Sequence, residues 1–135
     1  MTMQLSVTVR NARLDAFESA IGTGAVLKIR TGAQPANCAA ADSGTALATL
    51  TLPSDWMAAA SSGSKAKSGT WEDTSADANG TAAHFRLYAS DGTTCHAQGT
   101  VTATGGGGDM TVDNTSFASG QAFTVTSFTL TDGNA

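Results

Sequence analysis

The sequence has little charge, few aromatic residues and no long apolar run. Charged residues make up 13% of its 135 positions and aromatic residues 6%, while glycine alone accounts for 15 positions. No apolar run approaches the roughly 20 residues that a membrane-spanning helix requires. The N-terminus also lacks the basic start and apolar stretch of a secretory signal. We therefore expect neither membrane association nor secretion, and a protein made in the cytosol.

Basic residues are few and lie in ones and twos along the chain. Seven Lys and Arg stand against 11 Asp and Glu, giving a formal net charge of −4. Sequence-independent binding to nucleic acid depends on clustered basic residues, so no nucleic-acid partner is expected. The length suits one domain with its own core, and residues 1–135 are expected to form a single unit.

Four consecutive glycines, Gly105–Gly108, raise the question of a phosphate-binding loop. Such a loop needs a nearby Lys and a helix that begins directly after it. Here Asp109 follows the glycines, and the residues after it alternate like a strand. The pattern therefore predicts a mobile hairpin connection between Val101 and Met110, with no ligand of its own.

Two cysteines and two histidines are the only residues of their types: Cys38, Cys95, His84 and His96. Their spacing matches no zinc motif, and no Gly-x-Ser-x-Gly motif is present, so we expect no metal, no cofactor and no enzymatic activity. A disulfide between Cys38 and Cys95 is possible on count alone. Without a secretion signal, free thiols are favoured.

One helix is expected inside residues 6–22. Leu14, Phe17 and Ile21 recur at helical spacing, with a serine before the segment and a glycine after it. The opposite face carries charged side chains of both signs: Arg10, Arg13, Asp15 and Glu18. We expect the apolar face, with Ala16 and Ala20 beside it, to pack on the body of the domain.

The rest of the chain indicates short strands joined by turns. Residues 26–30 alternate as a half-buried strand, and a loop of small residues follows from Gly32 to Ala46. Trp56, with Met57 beside it, and Trp71 are expected to anchor the two ends of the least regular segment. The sequence thus predicts a mainly β fold, a β-sandwich or jelly-roll-like barrel with one N-terminal helix.

The segment from His84 to Gln98 predicts a hairpin. A three-residue loop, Ser90–Gly92, with a left-handed glycine places Leu87 opposite Cys95 and keeps polar side chains together. In that register His96 lies beside Arg86, Gln98 lies beside His84, and the Cys95 thiol points into the core.

The last strand contains a break in its alternation. Phe123 and Val125 fall on odd numbers, whereas Phe128 and Leu130 fall on even ones. One extra residue at 126–127 would restore a single apolar face, which predicts a β-bulge there.

Several segments together resemble a known family. They are VRNARLDAFESAIGTGAVLKIRTGAQP, LATLTLPSDWM, DTSADANGTAAHFRLYASDGTTCHAQGTVTATGGGGDM and DNTSFASGQAFTVTSFTLT. Over nearly the whole chain, the sequence resembles small virion proteins encoded in the structural gene modules of tailed bacteriophages. Members of that family with an assigned role are head decoration or cement proteins, and the resemblance brings no catalytic or ligand-binding motif with it.

This resemblance implies a structural protein on the capsid exterior, assembled in the host cytoplasm. Its expected partners are the major capsid protein, whose subunits it would bridge, and further copies of itself, as in a homotrimer. The expected contact residues lie on the helix and in the loop from Gly32 to Ser43: Arg10, Arg13, Glu18, Gln34 and Asn37. The alternative is a tail-associated or host-recognition module that binds carbohydrate through exposed aromatic rings, with Trp56, Trp71 and Tyr88 as the candidates.

Overall fold

The computed structural model describes residues 3–134 and has a mainly β fold with one N-terminal helix, as predicted. Within those residues the elements are α1 (Val7–Ile21), β1 (Val26–Arg30), β2 (Ala46–Thr51), β3 (Ser64–Ala66), β4 (Glu72–Asp73), β5 (Gly80–Thr81), β6 (His84–Tyr88), β7 (Cys95–Ala103), β8 (Met110–Val112), β9 (Ser116–Phe117) and β10 (Phe123–Thr131). The architecture is consistent with a β-sandwich.

One large sheet forms most of the molecule. Its strands run in the order β2-β1-β6-β7-β8-β10-β3, β4 also pairs with β10, and β5 and β9 form a separate ribbon. The edge at β2 meets β4 and the segment after it, because the Thr49 amide donates to the Asp73 carboxylate and the Asp77 amide donates to the Leu47 carbonyl. The sheet therefore curls around a single core, and its β2 edge is covered.

Aromatic rings join the helix to the sheet at one end of the core. Phe17 of the helix lies 5.9 Å from Trp56 and 6.4 Å from Phe128, measured between ring centroids, and Phe128 lies 5.5 Å from Phe85. Trp56 and Trp71 are both buried, which confirms their predicted anchoring role. Such tilted and edge-on ring pairs stabilise a core beyond the apolar area that they bury.

The helix has the predicted bounds. The Ser6 hydroxyl accepts a hydrogen bond from the Val9 amide, and the chain leaves the helix at Gly22 with φ +87°. Leu14 and Ile21 are buried, as expected, but Ala16 and Ala20 are exposed. The apolar stripe is thus narrower than predicted, and charged side chains take part in holding the helix.

The predicted β-bulge in the last strand is confirmed. Val125 pairs with Val112 and Ser127 pairs with Thr111, so Thr126 is the extra residue. Its hydroxyl lies 2.6 Å from that of Thr111. The bulge allows Phe123, Val125 and Phe128 all to be buried despite their different parity.

The predicted register of the hairpin from His84 is wrong. Leu87 pairs with Ala97 rather than with Cys95, and Arg86 rather than His84 pairs with Gln98. The loop is longer than three residues, because the Ala89 amide bonds to the Thr94 carbonyl. The sequence did indicate the left-handed glycine, since Gly92 has φ +71°.

The register differs from the predicted one by two residues. The longer loop accounts for one of them, and a bulge at His96 accounts for the other. Tyr88 pairs with Cys95, whereas Leu87 pairs with Ala97, so His96 has no pairing partner and does not lie beside Arg86. The bulge reverses the side on which Cys95 lies. The Cys95 side chain therefore points away from the core, toward the loop from Gly32 to Ala46, and the expected inward thiol is wrong.

The glycine run is not a hairpin connection. β7 and β8 pair in parallel, with Val101 opposite Met110, so the short segment between them must fold back beside β7. The Gly108 amide donates to the Thr102 hydroxyl, and the Asp109 carboxylate accepts from the amide and hydroxyl of Thr100. Parallel neighbours usually need a much longer crossover, and here glycines permit the close approach that shortens it.

Replacing one of these packed glycines should destabilise the fold. A Cβ at Gly106 would lie 2.7 Å from the Thr102 Cβ, whereas a Cβ at Gly133 would meet nothing within 4 Å. We expect Gly106→Ala to lower the free energy of unfolding by about 1–3 kcal/mol, the usual cost of overpacking. Urea unfolding measures it, with Gly133→Ala as the control. Equal stability of the two variants would show that the glycine loop does not pack against β7.

Candidate binding surface: the strap and its buried anchor

The loop between β1 and β2, residues 31–45 and here called the strap, crosses the face of the sheet that points away from the core. On that face lie polar side chains from three neighbouring strands: Lys28, Arg30, His84, Arg86, Tyr88 and Gln98. The strap carbonyls that accept hydrogen bonds from these side chains are those of Gly32, Pro35, Asn37, Cys38, Ala40 and Gly44. The strap is therefore fixed by polar contacts rather than by an apolar face.

Asp42 is the acidic centre of this arrangement. Its carboxylate pairs with the Arg86 guanidinium through Oδ1 and with Arg30 Nη2 at 3.0 Å through Oδ2. The Tyr88 hydroxyl donates to the same carboxylate at 2.7 Å. One carboxylate from the strap thus holds side chains of two adjacent strands, β1 and β6.

Arg86 is the most buried cation of the site, with a side chain 2% exposed. Besides its pair with Asp42, Nη2 donates to the carbonyls of Asn37, Cys38 and Ala40 at 3.0–3.2 Å, and Nε donates to Gln98 Oε1. A buried cation is tolerated only when its donors are satisfied. Arg86 therefore requires this conformation of the strap.

The titration of the site follows from burial and from these bonds. Burial opposes ionisation of Asp42, but hydrogen bonds from Tyr88 and Arg86 and the charge on Arg30 outweigh it and hold the pKa of Asp42 below its usual value. Burial and the hydrogen bond to Asp42 raise the pKa of Tyr88 to about 12. Burial acts to lower the pKa of Arg86, but its hydrogen bond to Asp42 and the Coulombic effects of Cys95, Asp42 and Tyr88 together outweigh burial, so this pKa is raised. At neutral pH the site therefore holds two guanidinium groups around one carboxylate.

His84 lies at the edge of this site in its neutral form. Burial, together with the charges on Arg30 and Arg86, lowers the pKa of His84 despite its bond to a carbonyl. Its Nδ1 lies 2.7 Å from the Gly32 carbonyl, which can only accept, so Nδ1 carries the proton. Nε2 has no hydrogen-bond partner among the described residues. A protonated His84 would place a third positive charge beside the two arginines.

Gln34 and Asn37, predicted as contact residues, both lie on the outer side of the strap and are exposed. The Asn37 side chain accepts hydrogen bonds from the amides of Ala39 and Ala40, so it also shapes the strap. Gln34, by contrast, can be changed without loss of such a contact. The strap therefore presents a surface of small residues in a fixed conformation, suited to close contact with another protein.

The three predicted helix residues lie elsewhere and are bound within the chain. Arg10 donates to the Asp132 carbonyl, Arg13 pairs with the Asp132 carboxylate, and Glu18 pairs with Lys65. Arg13 is the most accessible of them and lines a groove of about 410 Å³ between the helix and the C-terminal residues. The structure thus brings Gln34 and Asn37 together on one surface and the helix residues together on another.

Sequence reasoning missed the residues that hold the strap. Alternation places Arg86 and Tyr88 on the face opposite Phe85 and Leu87, but it does not indicate which part of the chain covers that face. One signal could have indicated the anchor, because Asp42 is the only acidic residue between Glu18 and Asp55. A lone carboxylate in a loop of small residues, near strands that carry arginines, is a candidate partner for them.

A metal site and a membrane-spanning helix each have recognisable structural requirements. No group of three or more His, Cys, Asp and Glu side chains between residues 3 and 134 is arranged to hold a metal ion. No helix in that range is long and apolar enough to cross a membrane.

Removing the Asp42 charge should destabilise the protein more than a substitution at a surface residue usually does. Asp42→Asn leaves Arg86 buried without its counterion, and because Asp42 is partly exposed we expect a loss at the lower end of the range for broken buried pairs, about 3 kcal/mol. Urea unfolding at pH 7 measures it. Asp55→Asn, at an exposed position with no ion pair in the described structure, should change stability little. Equal effects would refute the anchoring role.

Stability should also fall in acid, in two steps. The pKa of His84 is lower in the folded protein than in the unfolded chain. As pH falls below about 6.5, the unfolded chain therefore binds a proton before the folded protein does, and the free energy of unfolding falls. Asp42 has a lowered folded pKa as well, and its contribution is present above about pH 4 and lost as pH falls through the folded value. We expect His84→Asn to flatten the first step and Asp42→Asn the second, in urea unfolding between pH 7 and pH 3. Unchanged slopes would contradict this assignment.

Comparison with known proteins identified no relative of this chain. No family model, no curated protein and no solved structure matches the chain. The proposal for its function therefore rests on the sequence resemblance and on the geometry of the strap and the helix.

Proposed function

We propose that the protein is a structural virion protein, a capsid decoration or cement protein that stabilises a phage head by bridging major capsid subunits. The observation that carries the proposal is the strap, a loop of mostly small residues that the buried Arg86, paired with the partly exposed Asp42, holds against a β body. The sequence resemblance to small virion proteins of tailed phages supports the same role, which is structural rather than catalytic.

A fixed loop suits binding to a repeating lattice. Association costs free energy for every loop that must be ordered at the interface, and a loop ordered beforehand avoids that cost. Small side chains such as Ala33, Ala36 and Ala39 allow the backbone to approach a partner closely. Each contact can be weak, since several contacts per assembly on a lattice raise the effective affinity.

Self-association is the second part of the proposal. A closed homotrimer would match threefold or quasi-threefold positions of a capsid, where each copy meets an equivalent neighbour. The start of the helix and the residues before it expose apolar side chains, since Met3 is 70% exposed and Val7 and Val9 are each 45% exposed. Arg13 lies about one turn beyond Val9 on the same helix, so an interface there would combine apolar and charged contacts.

The alternative of a carbohydrate-binding tail module requires exposed aromatic rings. Trp56, Trp71 and Tyr88, the candidates for such a platform, are all buried. No observation therefore favours this alternative over decoration, and imaging distinguishes the two directly.

Labelling purified virions with an antibody against the protein, followed by electron microscopy, tests the proposal. We expect many copies distributed over the capsid exterior, and particles lacking the protein should release DNA at lower temperature. A few copies at the tail would support the tail module instead. Absence from the particle would overturn the virion role.

The contribution of the strap can be measured with a matched pair of variants. Ala36→Asp adds a charge to the exposed side of the strap, and Ser119→Asp adds the same charge at an exposed position outside it. We expect Ala36→Asp to weaken binding to capsids that lack the protein by 10-fold or more, as a desolvated unpaired charge does, and both variants to unfold like the wild type. Equal binding by the two variants would remove the strap from the interface.

A further inference from the structure

The two cysteines of the chain meet at the strap. Cys38 lies in the strap and Cys95 begins β7, and their sulfur atoms are 2.8 Å apart although 57 positions separate them in sequence. Both are free thiols, and both are partly exposed, so a small reagent can reach them.

The backbone on each side of this contact is held by bonds that do not involve sulfur. Cys38 follows Asn37, whose side chain closes the local turn, and its carbonyl accepts from Arg86. Cys95 is paired with Tyr88 in the β6–β7 ladder. The two sulfur atoms are therefore brought together by the fold itself.

The bulge at His96 is what makes the contact possible. Ala97 pairs with Leu87 and packs against the core, and without the bulge Cys95, two residues earlier, would point the same way. The extra residue turns Cys95 to the strap side instead. The bulge thus aims this side chain at Cys38.

We propose that Cys38 and Cys95 are a redox modification site, at which a low-molecular-weight disulfide such as oxidised glutathione converts the two thiols to an intramolecular disulfide. One protein thiolate attacks the external disulfide, forms a mixed disulfide and releases one thiolate. The second protein thiol loses its proton and attacks the mixed disulfide, which forms the Cys38–Cys95 bond and releases the second thiolate. The protein gives up two electrons and two protons, and the reagent is reduced to two thiols.

The site should react slowly in the folded protein and yet favour the disulfide at equilibrium. Burial and the neighbouring Cys38 thiol raise the pKa of Cys95 to about 11, although the Arg86 charge acts in the opposite direction, so little Cys95 thiolate is present at neutral pH. The equilibrium depends instead on how well the folded backbone places the two sulfur atoms for bond formation. This placement does not require binding to a capsid.

Refolding the full-length protein in glutathione redox buffer tests the proposal without this kinetic barrier. In oxidising buffer we expect a monomer lighter by two hydrogens, with no free thiol, and a melting temperature roughly 5–15 °C above that of the reduced protein, since a disulfide spanning this separation restricts the unfolded chain. The Cys38→Ser, Cys95→Ser double variant should melt at one temperature in both buffers. It controls for effects of glutathione itself.

Three results would overturn the proposal. Two free thiols after refolding in oxidising buffer would show that the fold does not favour the bond. Disulfide-linked dimers would show that the thiols react between chains instead. An intramolecular disulfide that left the melting temperature unchanged or lowered it would show that the native backbone does not accommodate the bond.

Discussion

The pairing of Arg86 with Asp42 is the constraint on which the strap surface depends. A guanidinium buried on a β-sheet must satisfy its donors, and the sheet itself offers Arg86 only the Gln98 side chain. The strap supplies the carboxylate of Asp42 and the carbonyls that remain. Arg86 thus specifies one strap conformation, and it does so without requiring a second hydrophobic core on that face of the sheet.

The helix is held by a similar device. Lys65, with a side chain 2% exposed, pairs with Asp15 and Glu18 of the helix at 2.8 and 3.0 Å and donates to the Ala58 carbonyl. The apolar stripe of the helix is narrow, so Leu14 and Ile21 alone do not fix its rotation. This chain has few aromatic and charged residues. The buried Arg86 fixes the strap and the buried Lys65 fixes the helix, because apolar contacts with the core do not fix these two segments by themselves.

The features predictable from the sequence are those that depend on neighbouring residues. The helix bounds followed from Ser6 and Gly22, and the bulge near Thr126 followed from a change of parity. The hairpin register was not predictable, because it depends on the bonds of Asp91 in the loop and on the bulge at His96. The contact between Asp42 and Arg86 was the least predictable feature, since the two residues are 44 positions apart and meet only when the sheet is complete.

These contacts divide the strap into two sides with different tolerance to change. The inward side carries Asp42 and the carbonyls that satisfy Arg86, so substitutions there act on folding. The outward side carries residues such as Gln34 and Ala36, which take no part in the anchor. Because the conformation is set from within, the outward side chains can vary without loss of the strap. A surface of this kind keeps its shape while its side chains adapt to a partner, which is what the proposed binding to a capsid would require.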